Sequence, residues 1–244
     1  MCVNNIKKLI KTVIKRPYMA RRLVKILLVL HNFSYKGVGL LSQSLETDGI
    51  HPKHRIMGYH EWFTQHINSN WFVLDVGCGN GALTSDISRV ARRVMGIDIE
   101  ENNIKLAIER CKGGKVEFIC GDITACEIDF KADCIVLSNI LEHIEDRRGF
   151  LEKLKKVSKR FLIRVPMFNR DWITPYKKEM GIEWRLDNTH CTEYTWESFC
   201  EEMLEAGMTI KEQVVMWGEI YAVVEVSNEE SNNSVSTPSS QPLK

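Results

Sequence analysis

A short apolar run, Trp71-Phe72-Val73-Leu74-Asp75-Val76, breaks into Gly77-Cys78-Gly79-Asn80-Gly81 and then into the helical periodicity of residues 82–91. Few folds accept that order. Glycines at alternate positions permit a tight turn and let a ligand come close to the backbone. A strand delivered through such a turn into a helix is the opening unit of an open α/β sheet, which binds ligands at the carboxyl ends of its strands. A plain strand–helix turn would need one or two glycines, not three in this register.

The pattern continues downstream. Strands are expected at 93–99, 116–120, 132–138 and 161–165, and helices at 101–112, 150–159 and 196–206. This alternation predicts a parallel sheet covered on both faces. Residues 209–216 and 219–226 are joined only by Trp217-Gly218, too short for a crossover, so they form an antiparallel hairpin. The expected fold is α/β, a Rossmann-like, doubly wound, seven-stranded and mainly parallel sheet with a terminal antiparallel hairpin, over residues 51–226.

The ends differ in character. Residues 1–45 hold nine Lys or Arg and no Asp or Glu, which leaves the remainder acidic. Ile6, Leu9, Ile10, Val13 and Ile14 recur at helical spacing among lysines, and a second helix is expected from Tyr18 to about Asn32. Residues 5–30 suit attachment to an anionic membrane face, and equally a helix pair packed on its own domain with a solvated basic face. Residues 33–50 read as a linker and 227–244 as a disordered tail. No apolar run approaches the roughly 20 residues that span a bilayer. Ile26–Leu30 is too short for a signal-peptide core, and no cleavage pattern follows it. The eight cysteines form no C-x-x-C pair, and no histidine spacing, including that of His51, His54, His60 and His66, completes a zinc pattern. A reducing cytoplasm and no bound metal are the expectation. The helical segment around residues 54–68 is expected to cover the ligand crevice.

Three further segments carry chemistry. Asp98 ends the second strand about twenty residues past the glycine turn, where an acid accepts both hydroxyls of a ribose or caps the next helix. Ile99 follows it. Asp122 after the third strand could accept from an adenine amino group, with the Ile123 N–H donating to the ring. Ser138-Asn139-Ile140-Leu141-Glu142-His143 follows the fourth strand. The glycine loop alone also fits a nicotinamide dinucleotide.

Taken as a set, V-L-D-V-G-C-G-N-G, G-I-D-I, G-D-I and S-N-I-L-E-H-I-E-D resemble the class I S-adenosylmethionine-dependent methyltransferases (methyltransferase type 11-like), over about residues 70–226. The resemblance implies strand order 3-2-1-4-5-7-6 and S-adenosyl-L-methionine as cofactor. It implies that Gly77, Cys78, Gly79, Asn80 and Gly81 hold the methionine part, with Asp75 near its amino group. Asp98 and Ile99 would take the ribose, Asp122 and Ile123 the adenine, and Ser138 and Asn139 would flank the sulfonium. An activated methyl donor needs no covalent nucleophile, only an acceptor held in line. A base is required only where the acceptor loses a proton, and His143 and His190 are the candidates.

The acceptor is narrowed by what the chain lacks. The Asn/Asp-Pro-Pro-Tyr motif of amino-nitrogen methylation, the Pro-Cys pair of cytosine chemistry and a carboxylate cluster for magnesium-assisted catechol chemistry are not found. Nucleic acid is disfavoured, and a small molecule, lipid or saccharide remains. The insertion between the fifth strand and the Trp196 helix, with Phe168, Trp172, Tyr176, Trp184, Arg185 and Tyr194, is long enough to be a functional lid. Two rivals stay open here: an NAD-dependent oxidoreductase and a non-catalytic cofactor-binding module.

Overall fold

Alternating apolar runs produce every expected strand, each within about two residues of its anticipated ends. The computed structural model describes residues 16–47, 50–126 and 128–227. In chain order the elements are α1 (Pro17–Leu45), α2 (Lys53–Met57), α3 (Tyr59–Gln65), β1 (Phe72–Val76), α4 (Ala82–Val90), β2 (Arg93–Asp98), α5 (Glu101–Arg110) and β3 (Val116–Cys120). They continue with β4 (Cys134–Ser138), a 3-10 turn (Leu141–His143), α6 (Arg147–Leu154), β5 (Arg160–Pro166), α7 (Ile173–Glu179), α8 (Trp196–Glu205), β6 (Met208–Met216) and β7 (Glu219–Val226). The sheet order is β3-β2-β1-β4-β5-β7-β6, as the resemblance implies. The first five strands are mutually parallel, and β7 runs antiparallel to both β5 and β6.

The chain divides into two units, Lys53–Arg170 with Thr189–Lys244, and Met1–Pro52 with Asp171–Asn188. The first holds the sheet. Its strands alternate between two apolar clusters, as a period of two requires. Leu74, Val76, Ile97, Ile135, Leu137 and Ile163 join Phe150 and Leu154 of α6 and Phe199 and Met203 of α8. Val73, Val94, Val136 and Leu162 join Tyr59 and Phe63 of α3 and Leu83 and Ile87 of α4. Burying each such side chain contributes about 1.5–3 kcal/mol. The edge strand β3 is largely exposed, and its Glu117 pairs with Arg93 of β2 at 2.8 Å, a charge on the edge that discourages further strand pairing.

In the second unit α1 runs straight through Gly37 and Gly39, where the sequence suggests a linker. Each glycine costs about 1 kcal/mol against alanine in a helix, which weakens a helix of 29 residues without ending it. Pro17 stands in the first turn, where its missing N–H costs nothing. Met19, Leu23, Ile26, Leu27, Leu30 and Phe33 recur at helical spacing and are all exposed. The insertion after β5 supplies α7, and Asn32 Nδ2 donates to the Glu183 carbonyl at 2.7 Å. The expected helix before Pro17 and the tail beyond Ser227 lie outside the described residues.

Candidate functional site

Strand order reverses between β1 and β4, and the glycine loop leaves β1 at that point. Gly77 N and Cys78 N both donate to the Ile97 carbonyl, at 2.7 and 3.1 Å. Gly79 N donates to Asp98 Oδ2 at 2.8 Å. Asp98 Oδ1 accepts from Glu100 N at 2.9 Å and Asn103 Nδ2 at 3.2 Å. One carboxylate thus ties the loop to the start of α5.

The three glycines have φ of +67°, +54° and +74°, the left-handed region. A side chain on Gly77 would lie 2.0 Å from Ile140 Cδ1, and one on Gly81 would lie 2.8 Å from Ala107 Cβ. Around Gly79 that direction meets nothing within 4 Å. Packing therefore demands Gly81, where the obstacle is the Ala107 backbone; at Gly77 the obstacle is the end of the Ile140 side chain, and Gly79 leaves bare backbone facing open space. Asn80 Oδ1 accepts from Ala82 N at 3.3 Å, and Cys78 is buried against Gly96, with burial pushing its thiol pKa up.

Asp75 lies beneath the loop, 1% exposed, and accepts from Thr84 Oγ1 at 2.6 Å. Burial pushes its carboxyl up to about 7; the Thr84 bond opposes this and the Asp98 charge adds to it. The unfolded chain ionises this group near about 4. Between those values the folded protein holds a proton that the unfolded chain has released. The stability linked to Asp75 is therefore fully present below about pH 4 and lost as the pH rises through about 7. Melting temperatures of the ligand-free protein should fall over that window less steeply in Asp75→Asn than in the wild type. Parallel curves would contradict the assignment.

Asp122 Oδ1 accepts from Thr124 N at 2.8 Å and Thr124 Oγ1 at 2.7 Å, bonds that hold its carboxyl below the usual range. Ile123 is buried, whereas Ile99 is 64% exposed beyond the end of β2. Ser138 ends β4, and Asn139 adopts φ +59° with its Oδ1 accepting from Arg164 Nε. Sequence reasoning misses Arg164. It is buried, pairs with Glu219 at 3.0 Å and lies 3.7 Å from the centroid of the Tyr59 ring. The one signal for it is an arginine within the apolar run 161–165.

Four of the seven histidines form two pairs. His54 and His60 lie 2.8 Å apart, and His60 Nδ1 lies 2.7 Å from Asp86 Oδ2, so this pair fastens α2 and α3 to α4. His143 and His190 come together with ring centroids 4.7 Å apart. Glu142, beside them, is fully buried, and neither carboxylate oxygen makes a well-formed hydrogen bond among the described residues. Burial pushes its carboxyl up to about 7, opposed by its own backbone N–H, the His190 charge, the Asn139 side chain and the Arg164 charge. Glu142, His143 and His190 each offer one ligand atom, all within 4.8 Å of one another. The members of this cluster come from two distant segments, which no local spacing rule detects.

The ends of the insertion are drawn together within the sheet unit. Phe168 N donates to the Tyr194 carbonyl at 2.7 Å, and Tyr194 N to the Pro166 carbonyl at 3.0 Å.

Residues 73–160 match a protein-family model described as a methyltransferase domain. The ubiquinone biosynthesis O-methyltransferase of a Bradyrhizobium species is 27% identical over 130 residues, which is 52% of this chain and 51% of that protein. The mitochondrial enzyme of the same description from Dictyostelium discoideum is 26% identical over 142 residues, 52% of this chain and 44% of that protein. The chain spans between a third and about half the length of the curated relatives it matches. Magnesium protoporphyrin IX methyltransferase from Synechocystis, solved with bound S-adenosylhomocysteine, superposes with a TM-score of 0.57 at 17% identity, covering 72% of this chain and 83% of that one. At that identity the likeness is one of fold.

Proposed function

We propose, on the premise that this chain carries a methyltransferase domain of the class I S-adenosylmethionine-dependent family, that it is an enzyme moving a methyl group from S-adenosylmethionine to a hydroxyl oxygen of a small molecule. One observation carries the reading: a glycine loop at the switch point, bare at Gly79 and bonded to Asp98. The residues fit that cofactor. Bare backbone suits close approach, the Asp98 carboxylate suits ribose hydroxyls, and a buried Asp75 carboxylate suits an ammonium group. When bound, S-adenosylmethionine supplies a methyl group already activated on its sulfonium.

The chain's own residues then bind and orient. Gly77–Gly81 receive the amino-acid part, with Asp75 beneath them. Asp98 and Ile99 take the ribose, Asp122 and Ile123 the adenine, and Ser138 and Asn139 border the reacting sulfur. Residues 54–68 cover the crevice. The oxygen acceptor is supported by the names of the curated relatives, ubiquinone biosynthesis O-methyltransferases; lipid and saccharide acceptors are the wider class. Neither the family match nor the relatives support a nicotinamide reaction.

Thermal unfolding with S-adenosylhomocysteine and with NAD tests the reading. At roughly 100 times its dissociation constant the true ligand adds about 2.7 kcal/mol. That gain is expected with S-adenosylhomocysteine and not with NAD, and the reverse would overturn the proposal. Methyl-labelled donor, followed into the extractable products of a cell extract, then identifies the acceptor.

We also propose that α1 rests on an anionic membrane at its cytoplasmic face. Its exposed stripe from Met19 to Phe33 stands beside Arg21, Arg22, Lys25 and Lys36, with no acid in the helix. No helix among the described residues is long and apolar enough to cross a membrane. The protein should float with vesicles containing phosphatidylserine and not with neutral vesicles. Leu23→Glu with Leu30→Glu should abolish flotation; unchanged recovery would end this proposal.

A further inference from the structure

We infer that Glu142, His143 and His190 form a binding site for a divalent first-row transition cation, held by one carboxylate oxygen and two imidazole nitrogens. Their ligand atoms all lie within 4.8 Å of one another. Ligand bonds of about 2.0–2.2 Å to zinc bring such atoms to separations of about 3–4 Å, so small side-chain rotations close the site.

Three independent features support it. First, Glu142 is fully buried and neither of its oxygens makes a well-formed hydrogen bond among the described residues, its own backbone N–H and the Asn139 side chain being the nearby donors. Buried carboxylates are otherwise paired, hydrogen-bonded or bound to metal. Second, each imidazole is oriented through Nδ1. His190 Nδ1 lies 3.0 Å from Glu193 Oε1, and Glu193 is itself paired with Arg170. His143 Nδ1 lies 3.0 Å from Thr189 Oγ1. A carboxylate or hydroxyl behind a ligating histidine is the outer shell that metal sites use to fix the ring. Third, Cys191 N and Thr192 N donate to the Glu142 carbonyl at 2.7 and 3.3 Å, which fastens the segment bearing His190 to the turn bearing Glu142 and His143.

The donor set decides the class of cation. Two imidazoles with one carboxylate suit zinc, cobalt, manganese or iron, whereas magnesium and calcium favour all-oxygen sites. Three protein ligands leave positions for water or an acceptor oxygen. The place of an acceptor oxygen there rests on the methyltransferase reading; the binding of the cation does not. In this arrangement the histidines act as ligands and not as general bases.

Cobalt(II) titrated into the chelator-treated full chain, followed by its visible d–d absorption and by calorimetry, tests the inference. One equivalent per chain should saturate. His190→Ala should weaken binding at least tenfold, and Glu193→Gln by about 10–100-fold. Glu142→Gln should lose cobalt binding. A retained thermal shift with S-adenosylhomocysteine certifies that each variant is folded. Absence of saturable absorption, or wild-type cobalt affinity in folded His190→Ala and Glu142→Gln, overturns the inference and leaves the methyltransferase reading intact. Failure of the S-adenosylhomocysteine shift in the wild type would instead strike the latter.

Discussion

Asp98→Ala should erase the stabilisation that S-adenosylhomocysteine confers, about 2.7 kcal/mol at roughly 100 times the wild-type dissociation constant. The substitution acts at two levels. It removes the carboxylate proposed to receive the ribose. It also strips the acceptor from Gly79 N, Glu100 N and Asn103 Nδ2, so the loop and the start of α5 lose their common tie. Hydrogen bonds to a charged group each contribute about 1.5–3 kcal/mol, so the ligand-free protein should also melt earlier. Asp98→Asn keeps an acceptor in place and should remain better folded while binding weakly. A full ligand shift in Asp98→Ala would contradict the assignment of this residue.

The second large effect falls on Gly81. At its φ of +74°, a Cβ on this residue would stand 2.9 Å from Ala107 Cα, and no relief is open because the obstacle is backbone. A left-handed alanine costs about 1–2 kcal/mol and overpacking about 1–3 kcal/mol more. Gly81→Ala should therefore lose about 2–5 kcal/mol in urea unfolding, taken as the sum of those two costs. Gly79→Ala separates packing from binding. It has the same backbone class and open space around it, so it should lose only the backbone cost while impairing cofactor binding. Gly81→Ala within about 1 kcal/mol of the wild type would remove the argument that helix packing demands this glycine.

Much of the sheet unit is legible in the sequence because its signals are local. Val73–Gly81 shows strand, turn and helix within one window, and the two-residue link Trp217-Gly218 admits only a hairpin. The position of Asp98 at a strand end is equally local, and the structure bonds it to the glycine loop before it. What escapes is non-local or overridden. Gly37 and Gly39 look like a linker, yet the surrounding residues keep α1 helical through them. Arg164 and Glu219 meet only because β7 returns antiparallel beside β5. Glu142, His143 and His190 assemble only when the chain returns from the insertion, and residues 171–188 of that insertion group with the N-terminal segment.

The most direct test is a crystal structure of the full chain with S-adenosylhomocysteine. The account predicts the ribose on Asp98, the adenine against Asp122 and Ile123, and the amino-acid portion along Gly77–Gly81 above Asp75. A crevice without density for the ligand, or a nucleoside bound away from the ends of β2 and β3, would contradict it.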